Sequence, residues 1–201
     1  MSIAISSPTS SSFAPIPQPK RWTVKDFHQL RGMPWFESRR MILVQGEILE
    51  MPSPNPPHDA ALGLTDQALR AAFGSGFWVR GQMALVLGQT TDPVPDLAVV
   101  PGSPRDYTEH PRTALLVVEI ADSSLKYDTA EKASLYAAGA IAEYWVVDLT
   151  HRKLIVHRDP QADVMQPFGA AYRNVAVLDA AATVNAFAAP TAAVRVSDLL
   201  P

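Results

Sequence analysis

The chain has 201 residues, 47% of them apolar, which is enough for one ordinary domain with a substantial core. Its 17 Lys and Arg against 20 Asp and Glu leave a formal charge of −3, so there is no overall basic surplus of the kind that marks a phosphate-binding surface. Cysteine is absent, which excludes disulfides, thiolate metal sites and cysteine nucleophiles. No apolar run approaches the ~20 residues of a membrane helix, and a cytoplasmic protein is expected.

Residues 1–20 hold four prolines and six serines, with Lys20 as the only charge. They read as a flexible tail without the basic start and apolar stretch of a signal peptide. A single domain is expected over 21–201.

Thr23 is placed to cap a short helix whose Val24, Phe27 and Leu30 share a face. Met41–Val44 and Ile48–Met51 flank Gln45-Gly46, a hairpin signal. Pro52–Pro57 carries four prolines in six positions and reads as a loop. His58–Phe73 then reads as a helix, ended by Gly74-Ser75-Gly76. Phe77–Val79 and Met83–Leu87 are strand candidates, and Asp96–Val100 is a short strand after Pro95. Ala114–Ala121 is the strongest strand. Its near-continuous apolar run predicts burial on both faces, as in a central strand. Asp128–Ala138 is the clearest helix, with Asp128 as N-cap, Glu131 completing a capping box and Gly139 as the stop. Glu143–Asp148, Lys153–His157 and Tyr172–Leu178 follow as strands, and Ser197 is placed to cap a last turn. Hairpins, a central strand and a strand–helix–strand crossover predict an α/β fold with a mixed sheet flanked by helices.

Glu119 lies inside that central strand, where an ionised carboxylate must be paired, protonated or bound to a metal. Read alone, it is as readily a strand-end glutamate reaching solvent, and Asp96 alone is more readily a turn residue. Together, on neighbouring strands, the two carboxylates can converge on one hard divalent cation such as Mg²⁺, with the backbone carbonyl of Ile120 as a further ligand. Two converging carboxylates repel when no cation is bound, so Asp96→Asn is expected to stabilise the metal-free protein at neutral pH. Lys132, one turn into the following helix, can reach back toward Glu119. Lys126, in the preceding loop, is the competing candidate. Tyr136 and Trp145 read as core residues.

Val94-Pro95-Asp96, Leu116-Val117-Val118-Glu119-Ile120 and the run Asp128, Lys132, Tyr136, Gly139, Glu143-Tyr144-Trp145, Val147-Asp148 resemble the Uma family of restriction endonucleases, within the PD-(D/E)XK nuclease superfamily. The resemblance extends back to Val44, Gly46-Glu47-Ile48, Glu50-Met51 and the Pro-rich loop with His58, covering roughly residues 21–200. It implies a restriction endonuclease-like core and Mg²⁺-dependent hydrolysis of DNA phosphodiester bonds, with Mn²⁺ able to substitute. It implies Asp96, Glu119 and Lys132 as catalytic residues, Asp96, Glu119 and Ile120 as metal ligands, Glu47 and His58 as auxiliary polar residues, and a homodimer. The superfamily lysine normally stands two residues after the glutamate, a position held here by Ala121; the family resemblance moves that role to Lys132. Asp122-Ser123-Ser124 replaces the family's usual Ser-Pro-Ser. The alternatives are a catalytically inactive, dimeric binding or scaffold member of the same fold, and metal-free acid–base hydrolysis by two carboxylates, which leaves Lys132 without a role.

Overall fold

The computed structural model of the chain describes residues 17–36 and 39–201. The expected tail lies outside the described residues as far as residue 16; residues 17–20 are exposed and belong to neither helix nor strand. Among the described residues no helix is long and apolar enough to cross a membrane.

Helix α1 (Val24–Arg31) opens with the expected cap: the Thr23 hydroxyl accepts from the Asp26 N–H and the Asp26 carboxylate accepts from the Thr23 N–H. Phe27 is fully buried, with Val24 and Leu30 packed beside it. Strands β1 (Met41–Val44) and β2 (Glu47–Glu50) form an antiparallel hairpin. Its turn residues Gln45 and Gly46 both take positive φ, 45° and 79°, as a two-residue turn of this kind requires. Helix α2 (Pro56–Phe73) starts two residues before the predicted His58. Pro56 and Pro57 occupy its first turn, where the missing N–H groups have no intrahelical partner to lose.

A six-stranded sheet forms the centre, in the order β3 (Phe77–Gly81), β4 (Leu97–Pro101), β5 (Leu116–Ala121), β6 (Glu143–Asp148), β7 (Lys153–Ala162), β8 (Ala170–Asp179). Only β5 and β6 run parallel; the other neighbours are antiparallel. Every residue of β5 and β6 is buried, as the apolar run in β5 predicts. Alternate residues of β5 feed two cores. Leu116, Val118 and Ile120 pack on the α2 side, while Val117 and Ala121 pack on the opposite side. The crossover from β5 to β6 is a continuous helical run: α3 (Leu125–Tyr127), a π turn (Asp128–Lys132) and α4 (Ala133–Ala138). Small strands β9 (Thr183–Val184) and β10 (Val194–Arg195) pair with each other beyond the sheet.

Three readings need correction. Met83–Leu87 is buried in part but is no strand, because its bonds run one way: Leu85 and Leu87 donate to the Pro93 and Thr91 carbonyls, and Pro93 has no N–H to return, while Val86 donates to Pro111. A ladder needs bonds in both directions. Asp128 does not cap a helix. It lies inside the helical run, fully buried, with Leu125 beginning the run three residues earlier. Ser197 sits within the last 3₁₀ turn (Val196–Leu199), and Arg195 takes the capping position.

One sheet edge is unlike the other. Strand β8 has a run of exposed residues from Arg173 to Val177, with Val175 and Val177 at 52% and 58% exposure. The β3 edge buries Val79 and Arg80.

Candidate active site

Glu119 shares a sheet face with Val117 and Ala121 and points into the layer beneath α4, where it is 1% exposed. Three groups meet its carboxylate. The Tyr136 hydroxyl donates to Oε1 at 2.6 Å, Lys132 Nζ lies 3.0 Å from Oε2, and the Asp96 N–H donates to Oε2 at 3.3 Å. Asp96 immediately precedes β4. Its Oδ2 accepts from the Ile120 N–H at 2.9 Å and lies 3.1 Å from His58 Nε2. The Asp–Glu pair is therefore joined through the two strands that carry it.

His58 arrives from the first turn of α2. Its N–H donates to Asn55 Oδ1 at 3.1 Å, and Asn55 Nδ2 donates to Asp122 Oδ2 at 2.6 Å across the cleft mouth. The cap that starts the helix thus also aims the imidazole. Lys132 ends the π turn, with a side chain 11% exposed and Nζ 2.9 Å from Asp128 Oδ1. Asp128 also accepts from the Ser124 hydroxyl. A cleft of about 180 Å³ opens beside these groups, lined by Arg40, residues 51–55, His58, Asp96, Ile120, residues 122–124, Tyr127 and Lys132.

The charges are unevenly matched. Asp96, Glu119 and Asp128 surround a single ammonium, Lys132, with His58 beside Asp96. Burial pushes the Glu119 carboxyl up to about 8; Asp96 and Asp128 push the same way, and Lys132 and the Tyr136 hydroxyl only partly offset them. Asp96 behaves oppositely. Burial raises it, but the His58 bond and charge, the Ile120 N–H and Lys132 together hold it below the usual carboxylate range. His58 is raised by its bond to Asp96, against burial. Lys132 is raised because Glu119 and Asp128 outweigh its burial. The expected strain of the metal-free pair therefore falls on Glu119 and not on Asp96, so the expectation for Asp96→Asn changes sign.

This donor set suits a hard cation. Two carboxylates, with surplus negative charge and hard oxygen donors only, match Mg²⁺, which is held by one or two carboxylates and keeps several waters. The Ile120 N–H faces Asp96, and in an extended strand its carbonyl shares that side. Among the described residues no group of three or more His, Cys, Asp and Glu side chains is placed to hold a metal ion, so an ion here would rest on two carboxylates, a backbone carbonyl and water.

Of the residues singled out in the sequence, Asp96, Glu119, Ile120, Lys132 and His58 converge. Lys126 is exposed and outside the cleft lining, leaving Lys132 as the lysine at the carboxylates. Glu47 does not reach the cleft: it pairs with Arg21 at the turn end of the first hairpin, its side chain 61% exposed. Three residues were missed. Tyr136, assigned to packing by its helical spacing, also holds Glu119 through its hydroxyl. Asp128, expected as a cap, instead holds Lys132 and accepts from the Ser124 hydroxyl. Gln82, at a strained φ of 49°, directs its amide to Asp96 Oδ1 at 3.5 Å and donates its N–H to the Asp96 carbonyl at 2.9 Å.

A mixed sheet flanked by helices, with an acidic pair and a lysine at one end of its central strands, defines a fold of the restriction endonuclease-like class. Residues 24–190 match the profile of the Uma2 family, described as "Putative restriction endonuclease", and the chain belongs to that family. Among solved structures it is similar to one described as a putative nuclease belonging to DUF820 from Anabaena variabilis, with a TM-score of 0.67, 17% identity, and coverage of 88% of this chain and 96% of that one. At that identity the likeness shows the fold. No curated protein matches the chain.

Proposed function

We propose that the chain is a Mg²⁺-dependent endonuclease that hydrolyses DNA phosphodiester bonds, with Mn²⁺ able to substitute. The observation that carries this reading is the buried carboxylate surplus beside one lysine. Asp96 and Glu119, with the Ile120 carbonyl, would hold the ion. When bound, the ion supplies Lewis acidity, making a water more acidic and neutralising charge at the scissile phosphate. Lys132 orients the attacking water and stabilises the negative charge that develops on the phosphate. His58 keeps Asp96 ionised, and Tyr136 fixes the carboxylate plane of Glu119.

The test is calorimetric titration of Mg²⁺ and Mn²⁺ into wild type and Glu119→Gln, run beside a supercoiled-plasmid nicking assay. Saturable binding lost in the variant, with nicking that needs the ion, is expected. Absence of binding at millimolar ion overturns the reading.

The inactive dimeric alternative draws on strand β8. A second copy pairing antiparallel about Ala176 sets Arg173 opposite Asp179 and Val175 opposite Val177, matching charge and apolar surface along an open edge. Such a dimer is compatible with either reading. Metal-dependent nicking separates the two.

A further inference from the structure

A second and larger cleft, of about 1070 Å³, lies between α1, strand β3 and the segments around Met83–Gln89 and Tyr107–Arg112. It is on the scale of ligand-binding clefts. Its lining includes Arg80, and Arg80 is an unusual residue. It stands on β3 opposite Ala98, is 2% exposed, and forms no ion pair among the described residues. One terminal nitrogen, Nη1, donates to the Ala84 carbonyl at 3.1 Å, while the buried Nε has no hydrogen-bond partner. The Trp78 ring lies 4.9 Å from the guanidinium carbon and supplies no hydrogen-bond acceptor.

A buried cation without a counter-charge is costly, and the usual remedies are an anion or a second fixed charge. The neighbourhood favours an anion. Among the lining residues Lys25, Arg80 and Arg112 are cations against the single carboxylate of Glu109. The other titratable groups facing the cleft are His28, His110 and the phenol of Tyr107. Asp92 is fully buried, with one oxygen committed to His28 at 2.7 Å. Burial lowers the His110 imidazole, with Arg80 acting the same way and Asp92 opposing.

We propose that this cleft is a binding site for a phosphate group, drawn by the uncompensated guanidinium of Arg80, whose buried Nε edge turns toward the cleft to receive it, with Arg112 closing from the rim. A guanidinium offers two parallel N–H donors on that edge, which matches phosphate oxygens. The phosphate is either free or borne by a nucleotide, whose remaining bulk the cleft has room to hold. The proposal stands apart from the metal-dependent reading, since none of its residues touches Asp96, Glu119 or Lys132.

The test uses the full chain in EDTA, so that divalent ions play no part. Inorganic phosphate and a nucleoside 5′-monophosphate are titrated separately, following the arginine Nε–H resonances by NMR, with Arg80 assigned by its substitution. Saturable movement of the Arg80 Nε–H signal is expected. Tighter binding of the nucleotide identifies it as the source; equal affinity identifies free phosphate. Arg80→Gln should abolish the response, and the exposed-rim variant Arg112→Gln should weaken it by about tenfold, the loss of one charge-assisted bond. A signal unmoved at 10 mM of either probe overturns the proposal, as does a response unchanged in Arg112→Gln. The rim variant serves if Arg80→Gln does not fold.

Discussion

The two clefts grow from the same pair of strands. Arg80 on β3 pairs with Ala98 on β4, and Asp96 stands two residues before Ala98, so both charges leave the same sheet face roughly 7 Å apart along the strand. They nevertheless serve opposite electrostatic environments. At the smaller cleft three carboxylates, Asp96, Glu119 and Asp128, share Lys132 and His58 as their partners. The larger one buries a guanidinium that no carboxylate pairs with among the described residues. Size therefore says little about chemistry here. What distinguishes the clefts is the sign of the charge left over once the protein's own partners are matched.

The most damaging single change should be Lys132→Met. It removes the only ammonium between Glu119 and Asp128 and leaves buried carboxylates uncompensated, which typically costs about 3 kcal/mol or more. Urea unfolding should show that loss, and DNA nicking should fall by at least ~100-fold. Stability and nicking both unchanged would remove the lysine from the site.

Next in size is Glu119→Gln. The raised folded pKa means the native state binds more protons than the unfolded chain between the ordinary value of 4.5 and about 8. That term makes the metal-free protein lose stability as pH rises across this window, levelling off above it. The Gln variant should be flatter in that range and more stable near pH 8 in EDTA by about 1–2 kcal/mol, while losing the stabilisation that Mg²⁺ gives wild type. A parallel pair of pH–stability curves would contradict the assignment of strain to Glu119.

Asp96→Asn should act with the reverse sign. Asp96 is held below its usual range, so its stabilising contribution is present above the unfolded value of 3.8 and disappears as pH falls through the folded one. Loss of its charge-assisted bonds to His58 and Ile120 should cost about 1–2 kcal/mol at neutral pH. His58 works in the other direction. Its contribution is full below 6.5 and fades as pH rises through its raised folded value. Denaturant titrations of Asp96→Asn at pH 3 and pH 7 check this, since the difference from wild type should shrink at the lower pH. The smallest effect belongs to the larger cleft: Arg112→Gln, exposed at the rim, should shift stability by no more than ~0.5 kcal/mol in urea unfolding.

The legible part of the sequence was the part where one residue contradicts its surroundings. The apolar run announced the central strand, while Glu119 inside it was equally readable as a strand end reaching solvent until Asp96 was set beside it. Lys132 was legible as a residue on the following helix but not as the winner over Lys126, because that depends on how the helix is wound. Asp128 misled for a physical reason: an aspartate ahead of an apolar, helically spaced segment has the same local pattern as a cap, whether or not the helix has already begun. Tyr136 was visible only by its ring, which is core, while its hydroxyl acts on another strand. Met83–Leu87 is a short apolar run like a buried strand, yet pairing depends on a neighbour that local sequence does not encode. Glu47 failed because a hairpin's turn end and its open end differ in position but not in composition.

The π turn at Asp128–Lys132 has a consequence for chain length. Such a turn carries one residue more than α-helical winding would need, with bonds running i to i+5. Deleting one residue from Thr129–Glu131 would remove that extra residue and let the segment relax to ordinary α winding, with Lys132 and Tyr136, both beyond the deletion and on one face, moving together. Each step of an α-helix rotates a side chain by about 100°, so deleting one residue between Lys132 and Tyr136 would instead turn the tyrosine away from the face that the lysine keeps. The two groups that hold Glu119 are thus set by a residue count that has one spare inside the turn and none after it.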